Sequence, residues 1–202
     1  MRTLKIYPTS INTRFIDEAV SELRNGNIII YPTDTVYALG CNALDPKAIE
    51  HLCRLKNIDP RRNTLSIVCA DMSQAAEYAR IDNKAYREIK DHTPGPFTFI
   101  LPPAPTLPKA MKGRKEVGIR IPDNPIAREL ASQLGNPLMT TSAEAPNLDP
   151  EELMDAESVA RHYAHEASLA IDGGSCALTP SAIISLMDNS EPEILREGPA
   201  EY

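Results

Sequence analysis

The chain has 202 residues, of which 42% are hydrophobic and 24% are charged, the balance of a soluble globular protein rather than a disordered one. Its net charge of −7 excludes nucleic-acid binding through overall charge, so an anionic partner must meet a local basic patch. The longest apolar run, Ile28–Tyr31, is too short to cross a membrane, and the N-terminus lacks the apolar segment of a secretion signal. These features predict a cytoplasmic protein without a membrane partner.

Helical and strand patterns alternate along the chain, and no internal repeat is present. The first helix begins at Asn12 or Thr13, which can cap its backbone, and Gly26 ends it. The second begins at Asp45-Pro46, a capping residue followed by proline at the first helical position. Further helices are predicted over residues 73–79, 82–91, 124–135 and 155–164. Strands are predicted over residues 27–31, 65–69, 97–101, 117–121, 138–141, 169–172, 182–186 and 193–196.

This alternation predicts one mixed α/β domain over residues 1–202, a twisted mixed sheet with flanking helices. The length suits a single domain with a sizeable core, and no segment has the composition of a linker. In the strand predicted over residues 117–121 apolar positions alternate. Arg120 is therefore expected on the face opposite Val117, Ile119 and Ile121.

Two polar segments lie beside predicted strands, where an α/β protein can bind a ligand. Thr33, Asp34 and Thr35 directly follow a buried strand, where open α/β sheets bind ligands, although such residues also bond their own backbone in turns. The second segment runs from Arg54 to Asn63, between a helix and a strand. Its cations suit a phosphate chain and equally suit a solvated basic loop.

Further candidates are a turn, a run of hydroxyls and a second basic cluster. Pro94-Gly95-Pro96 before an apolar strand favours a tight turn. The hydroxyls of residues 140–142 follow a strand and either bind a substrate or satisfy backbone groups. The second basic cluster consists of Lys109, Lys112, Arg114 and Lys115. No G-x-x-x-x-G-K-[ST], G-x-G-x-x-G or G-x-S-x-G motif occurs, which excludes the commonest nucleotide-binding and hydrolase schemes.

A metal site is not predicted from the cysteines or histidines. The four cysteines are scattered without a C-x-x-C pair, and three lie in apolar stretches, where a free thiol behaves as a small hydrophobe. His162 and His165 are three apart on a predicted helix, beside Glu166. That spacing can bind a metal, but a solvated helix face is the favoured interpretation.

Six motifs in a fixed order give the chain a resemblance to the YrdC/YciO family. Each motif is short, but the ordered set is specific and extends over nearly the whole chain. The motifs are Tyr31-Pro32-Thr33-Asp34-Thr35-Val36-Tyr37-Ala38-Leu39-Gly40, Pro94-Gly95-Pro96-Phe97-Thr98, Gly118-Ile119-Arg120-Ile121-Pro122, Thr141-Ser142-Ala143, Asp172-Gly173-Gly174 and Leu195-Arg196-Glu197-Gly198. The segment 93–101 and the closing Arg-Glu-Gly most resemble the YciO branch.

The resemblance implies a YrdC-like fold with a concave basic cleft, associated with binding of nucleotides and double-stranded RNA. Well-understood members of the family are threonylcarbamoyl-AMP synthases, which join threonine, bicarbonate and ATP, release pyrophosphate and serve the modification of tRNA. ATP is then a substrate, and Mg²⁺ is expected on its triphosphate. The alternative is a non-enzymatic RNA-binding protein of tRNA or ribosome maturation.

Carried over by position, the family's site residues divide into two sets, and the catalytic residues stay unassigned. The expected substrate-binding residues are Thr33, Arg120, Ser142 and Ser181. The expected nucleotide-binding residues are Lys56, Arg61, Arg62, Asn63 and Arg196. Within these sets, Arg120 is expected to hold the carboxylate of threonine and Lys56 the phosphates.

Two positions depart from the pattern of the synthases. The synthases typically carry Lys-x-Arg where this chain has Lys56-Asn57-Ile58, and Ser-x-Asn where it has Ser142-Ala143-Glu144. A carboxylate about 4 Å from a phosphate charge costs on the order of 4 kcal/mol at an effective dielectric constant of about 20. Protonation of Glu144, its binding to Mg²⁺, or replacement of the missing amide by Asn147 would each avoid that cost.

Overall fold

The computed structural model describes residues 1–59, 63–105, 107, 111–187 and 191–202. Within these residues the protein has ten strands and six α-helices. The strands are β1 (Arg2–Lys5), β2 (Ile29–Tyr31), β3 (Ala38–Asn42), β4 (Ser66–Val68), β5 (Phe97–Leu101), β6 (Val117–Arg120), β7 (Leu138–Ser142), β8 (Leu169–Asp172), β9 (Ala182–Ser185) and β10 (Glu193–Arg196). The helices are α1 (Thr13–Arg24), α2 (Pro46–Leu55), α3 (Met72–Tyr78), α4 (Asn83–His92), α5 (Pro125–Leu134) and α6 (Ala156–His162).

Helices α1, α2 and α5 begin at capping residues that the sequence predicts. The side chains of Asn12, Asp45 and Asn124 accept backbone N–H bonds at the first turns of α1, α2 and α5. Gly135 ends α5 in the left-handed conformation, with φ of 79°. In the described part of the chain, no helix has the length and apolar character that a membrane crossing requires.

Helix α6 ends at His162, earlier than the predicted 164, because the chain turns at the buried Tyr163. The carbonyl of Tyr163 accepts the N–H groups of Glu166 and Ala167 and closes this turn. His165 therefore lies beyond the helix, and both histidines are exposed. The helical spacing that made them a conceivable metal pair is absent.

Two strands, β1 and β3, were not predicted from the sequence. Strand β1 is an edge strand whose side chains are mostly exposed, so it lacks a long apolar pattern. Strand β3 contains Ala38 and Gly40, which favour strands weakly. It forms because it lies between β2 and β7 and pairs antiparallel with both, which buries most of it.

All ten strands form one mixed sheet in the order β1-β8-β2-β3-β7-β4-β6-β5-β9-β10. One face carries the main core, where helices α2, α3, α4 and α6 pack against strand residues such as Leu39, Ile67, Phe99 and Ile119. This arrangement confirms the predicted α/β class. It also confirms the predicted orientation of β6, whose Val117 and Ile119 enter this core.

The opposite face of the sheet is covered by helices on one half. There, α1 and α5 pack against the half that begins at β1, around Ile29, Leu138 and Leu169. Toward β10 the same face carries polar side chains, including Ser66, Thr98 and Arg120. This polar half of the sheet is the floor of the candidate site.

The central position of β6 leads to a stability prediction. Ile119 is 0% exposed, whereas Ile194 in the edge strand β10 is 45% exposed. We expect Ile119→Ala to lower the free energy of unfolding by about 2–5 kcal/mol, because it leaves a cavity in the main core. The matched control Ile194→Ala is expected to cost less than about 1 kcal/mol. Urea denaturation of both variants measures this difference, and equal losses would contradict the assigned core.

Candidate functional site

A cleft of about 160 Å³ lies over the polar half of the sheet. Its lining comes from β4, β5, β6, β7, β9 and β10 together with the loop after β2. The polar residues of the lining include Ser66, Thr98, Arg120, Ser142, Ser181 and Arg196. Six strands that are distant in sequence therefore contribute to one concave surface.

Strand register explains why these side chains share a face. Ser66 pairs with Thr140 on one side and with Gly118 on the other, and Thr98 pairs with Ile183. Directly opposed residues project to the same face of a sheet. At Gly118 a β-carbon would lie 2.5 Å from the Ser66 hydroxyl oxygen, so a larger residue would push into the floor. The glycine keeps the floor open beside Arg120.

Arg120 is the buried cation at the centre of the cleft. Its Nη2 donates to Asp34 Oδ1 at 2.5 Å, to the Thr35 hydroxyl at 2.6 Å and to the Thr33 hydroxyl at 3.2 Å. The second oxygen of Asp34 accepts the backbone N–H of Asp123 at 2.9 Å. The Nε of Arg120 is buried and has no hydrogen-bond partner among the described residues. A buried donor without a partner is unusual in a folded protein, and it marks the surroundings of Arg120 as a candidate ligand site.

The loop after β2 is held by its own side chains and also forms part of the cleft wall. The Thr33 hydroxyl accepts the backbone N–H of Thr35 at 3.0 Å and donates to the carbonyl of Val36 at 2.7 Å. Thr35, rather than Thr33, lines the cleft. The segment therefore contains both a turn held by its own side chains and part of the cleft wall. Thr33 fixes the turn, and the turn places Thr35 and Asp34 beside Arg120.

Glu144 brings a carboxylate to the rim of the cleft, among hydrogen-bond donors and cations. The Ser142 hydroxyl donates to Glu144 Oε2 at 3.1 Å, and the Lys56 ammonium donates to the Glu144 carbonyl. Burial lowers the pKa of Lys56, and the negative charge of Glu144 opposes that shift. The Tyr163 hydroxyl lies 3.0 Å from the Ala143 carbonyl and 3.1 Å from that of Glu144. These contacts fix the backbone that carries Glu144.

Arg196 approaches the cleft from the edge strand β10. Its Nε and Nη2 donate to the Ser181 carbonyl at 3.1 and 2.8 Å, and the hydroxyls of Ser181 and Thr98 share a hydrogen bond of 2.9 Å. Burial lowers the pKa of Arg196, Glu144 opposes this shift, and the positive charge of Arg120 adds to it. The charges of both Glu144 and Arg120 therefore act on the guanidinium of Arg196.

The structure brings together most of the residues predicted for the site. Arg120, Ser142, Ser181 and Arg196 line the cleft. Thr33 contacts the lining residue Arg120. Lys56 contacts the backbone of Glu144, whose carboxylate accepts a hydrogen bond from the lining residue Ser142. Asn63 is exposed, next to the lining residue Thr64. Arg61 and Arg62 lie outside the described residues.

Several site residues were missed or undervalued in the sequence. Asp34 was recognised as a carboxylate, but its pairing with Arg120 was not predicted. Thr98 was noted only as part of the motif that begins at Pro94, and Ser66 and Ile183 were not singled out. A usable signal existed for Thr98, since one hydroxyl residue between Phe97 and Phe99 marks the opposite face of an apolar strand.

The buried pair of Arg120 and Asp34 gives a second prediction. Both side chains are only 9% exposed, and Asp34→Asn would leave the guanidinium charge buried without its counter-ion. We expect a loss of about 3–5 kcal/mol in the free energy of unfolding. The control Glu18→Gln breaks the exposed pair with Arg2 and is expected to cost less than about 1 kcal/mol. Thermal or urea denaturation at neutral pH measures both, and a neutral Asp34→Asn would contradict the assigned role.

Comparisons with known proteins agree with this fold and cleft. The Sua5/YciO/YrdC family, described as telomere recombination, matches residues 21–198. Escherichia coli YciO is 37% identical over 195 residues, which cover 96% of this chain and 93% of that protein. Its crystal structure superposes with a TM-score of 0.90 and covers 100% of this chain and 98% of that chain.

Proteins with a named activity or ligand are also similar to this chain. A threonylcarbamoyl-AMP synthase from an Enterobacter species is 34% identical over 141 residues, which cover 67% of this chain and 73% of that protein. The crystal structure of P. abyssi Sua5 complexed with L-threonine has a TM-score of 0.86 and 29% identity, and the match covers 98% of this chain and 58% of that chain. With the ordered motifs, the shared fold and the family match in agreement, this chain belongs to the Sua5/YciO/YrdC family.

Proposed function

We propose that this protein is an L-threonylcarbamoyladenylate synthase that binds threonine and ATP in the cleft over the polar half of the sheet. The observation that carries this proposal is Arg120, a largely buried guanidinium that lines the cleft and whose Nε has no hydrogen-bond partner among the described residues. A guanidinium of this kind suits a carboxylate, because its planar donors match the two carboxylate oxygens. The named activity of the Enterobacter relative and the threonine bound to P. abyssi Sua5 support the same choice.

The proposed reaction begins when the amino group of threonine and bicarbonate combine to a carbamate and water. A carbamate oxygen then attacks the α-phosphorus of ATP, the bond between that phosphorus and the bridging oxygen breaks, and pyrophosphate leaves. A carbamate is a weak nucleophile, so positioning and charge neutralisation must supply most of the catalysis. In this assignment Arg120 orients the amino acid, Lys56 and Arg196 neutralise phosphate charge, and Ser142 lies between the two ligands.

Mg²⁺ is expected to arrive with the triphosphate. Within the described residues, no group of three or more His, Cys, Asp or Glu side chains has the arrangement of a metal site. Asp34 is already committed to Arg120 and to the Asp123 backbone. The phosphate oxygens and water are therefore the expected ligands of Mg²⁺.

Glu144 sets the charge balance on the nucleotide side. Its carboxylate opposes the shifts that burial causes in Lys56 and Arg196, so these cations already have an anionic neighbour without a ligand. An incoming phosphate would share these cations with Glu144. We expect Glu144 to weaken binding of the triphosphate rather than to prevent it, because Lys56 and Arg196 would then interact with both Glu144 and a phosphate group.

Pyrophosphate release tests both the activity and the effect of Glu144. We expect the wild type to release pyrophosphate from ATP and Mg²⁺ only when threonine and bicarbonate are both present. Glu144→Asn is expected to lower the KM for ATP by about fivefold, because it removes a like charge worth about 1 kcal/mol after screening. Activity in the variant alone would mean that Glu144 disables the scaffold. If neither the wild type nor the variant releases pyrophosphate while an active synthase does so as a control, the proposal is overturned.

Binding of double-stranded RNA or tRNA is the second candidate. Lys112 and Lys115 are exposed and Arg114 is half-buried, whereas Lys109 lies outside the described residues. In an acidic chain such a local cluster is the feature that RNA phosphates require. Binding of RNA by this cluster stays a prediction.

A duplex RNA titration decides the second candidate. If the cluster binds phosphates, the affinity falls steeply between 50 and 200 mM salt, by roughly tenfold or more for a few contacts. Joint Lys112→Gln and Lys115→Gln substitution is expected to flatten this salt dependence. A matched pair on α4, Lys84→Gln with Lys90→Gln, is expected to leave it unchanged. A flat isotherm of the wild type at low salt would remove RNA binding from consideration.

A further inference from the structure

Strand β10 carries Arg196 to the cleft through an irregularity in its pairing. Ile194 pairs with Ile184, but Arg196 pairs with Ile183, so Leu195 is an extra residue between the two pairs. Regular antiparallel pairing would place Arg196 opposite Ala182, whose side chain belongs to the main core. The bulge instead turns Arg196 to the face of Ile183, which lines the cleft.

The strand itself gives Arg196 little support. Strand β10 lies at one end of the sheet order, and all four of its residues are exposed. An exposed, bulged edge strand with one neighbour opens at low free-energy cost. The two hydrogen bonds from Arg196 to the Ser181 carbonyl hold its guanidinium, but they hold it only while β10 is docked.

Residues 197–202, which we call the strap, attach the end of β10 to the main body of the protein. Gly198 lies directly on β9, since a β-carbon there would be 2.3 Å from the Ala182 nitrogen and 2.8 Å from its α-carbon. Only glycine fits this close approach, and it occurs one residue from Ser181, the hydrogen-bond partner of Arg196. Farther along the strap, Ala200 and Tyr202 pack against the main core.

Tyr202 is the anchor of the strap. Its ring stacks on His92, with centroids 4.5 Å apart and an interplanar angle of 22°, and approaches Phe97 at 6.0 Å. Its hydroxyl donates to Glu88 Oε2 at 2.8 Å. Burial and this hydrogen bond raise the pKa of Tyr202, which keeps the hydroxyl protonated as a donor.

We propose that the strap positions Arg196 over the cleft and that Tyr202, on the opposite face of the sheet, is a positioning residue for the nucleotide side of the site. The strap holds β10 in the bulged register, and the register aims the guanidinium. The identity of the ligand rests on the proposed function, whereas the positioning of Arg196 does not.

Hydrogen exchange tests the positioning without any ligand. In Tyr202→Ala we expect the backbone amides of β10 to exchange about tenfold faster, because a stacked ring and a hydrogen bond are lost. Tyr202→Phe keeps the ring and is expected to show a smaller increase in the exchange rate. This variant keeps the test valid if Tyr202→Ala fails to fold. The amides of β1, at the other edge of the sheet, serve as an internal reference. Tyr86→Ala, which removes a 45% exposed tyrosine from α4, is the matched control and is expected to change nothing.

Titration with Mg²⁺-ATP and with threonine separates positioning from general stability. We expect Tyr202→Ala to weaken ATP binding by about three- to tenfold and to leave threonine binding unchanged. If Tyr202 acts through Arg196, the double variant Arg196→Ala with Tyr202→Ala binds ATP no more weakly than Arg196→Ala alone. Additive losses, or equal weakening of threonine binding, would overturn the proposal.

The two experiments fail for different reasons. If the wild type binds neither ATP nor threonine, the proposed function fails, while the exchange rates of β10 still decide whether the strap holds this strand. If the wild type binds both ligands but exchange in Tyr202→Ala and Tyr202→Phe equals that of the wild type, the strap proposal fails alone.

Discussion

The guanidinium of Arg120 is buried on the open half of the sheet, where an uncompensated charge would be strongly destabilising. Asp34 compensates it at 2.5 Å, and Asp34 in turn accepts the backbone N–H of Asp123. One ion pair therefore ties together β6, the loop between β2 and β3, and the turn that begins α5. The shape of the cleft depends on this constraint, because the same contacts hold Thr33 in the turn and Thr35 at the cleft wall.

The cleft exists because the two faces of the sheet are covered unequally. Four helices cover one face with a continuous apolar core, whereas α1 and α5 pack on the half of the other face that begins at β1. On the remaining half, strand side chains line the open cleft, and most of them carry hydroxyl groups or positive charges rather than aliphatic groups. Strands rather than loops thus position most of the polar groups of the cleft, and under the proposed function this suits a reaction that depends on orientation.

The cations around the cleft have anionic neighbours in the protein itself. Arg120 forms an ion pair with Asp34, and burial lowers the pKa of both Lys56 and Arg196, a shift that the charge of Glu144 opposes. The sequence suggested that Glu144 would be an uncompensated charge beside a polyphosphate, with protonation, Mg²⁺ or Asn147 as remedies. The fold supplies another arrangement, in which cations on both sides offset the carboxylate. The consequence under the proposed function is a weaker triphosphate site that still retains its cations.

The sequence by itself determined the α/β class, most helix and strand boundaries, the family resemblance and the outward face of Arg120. These features depend on local signals, namely caps, glycines, apolar period and short motifs. Only the tertiary structure decided that Ala38–Asn42 is a central strand, that Asp34 pairs with Arg120, and that Ser66 and Thr98 share the cleft floor. It also decided the bulge at Leu195 that aims Arg196. Each of these depends on the register between strands far apart in the chain, and register is set by packing across the whole sheet, which no local pattern encodes.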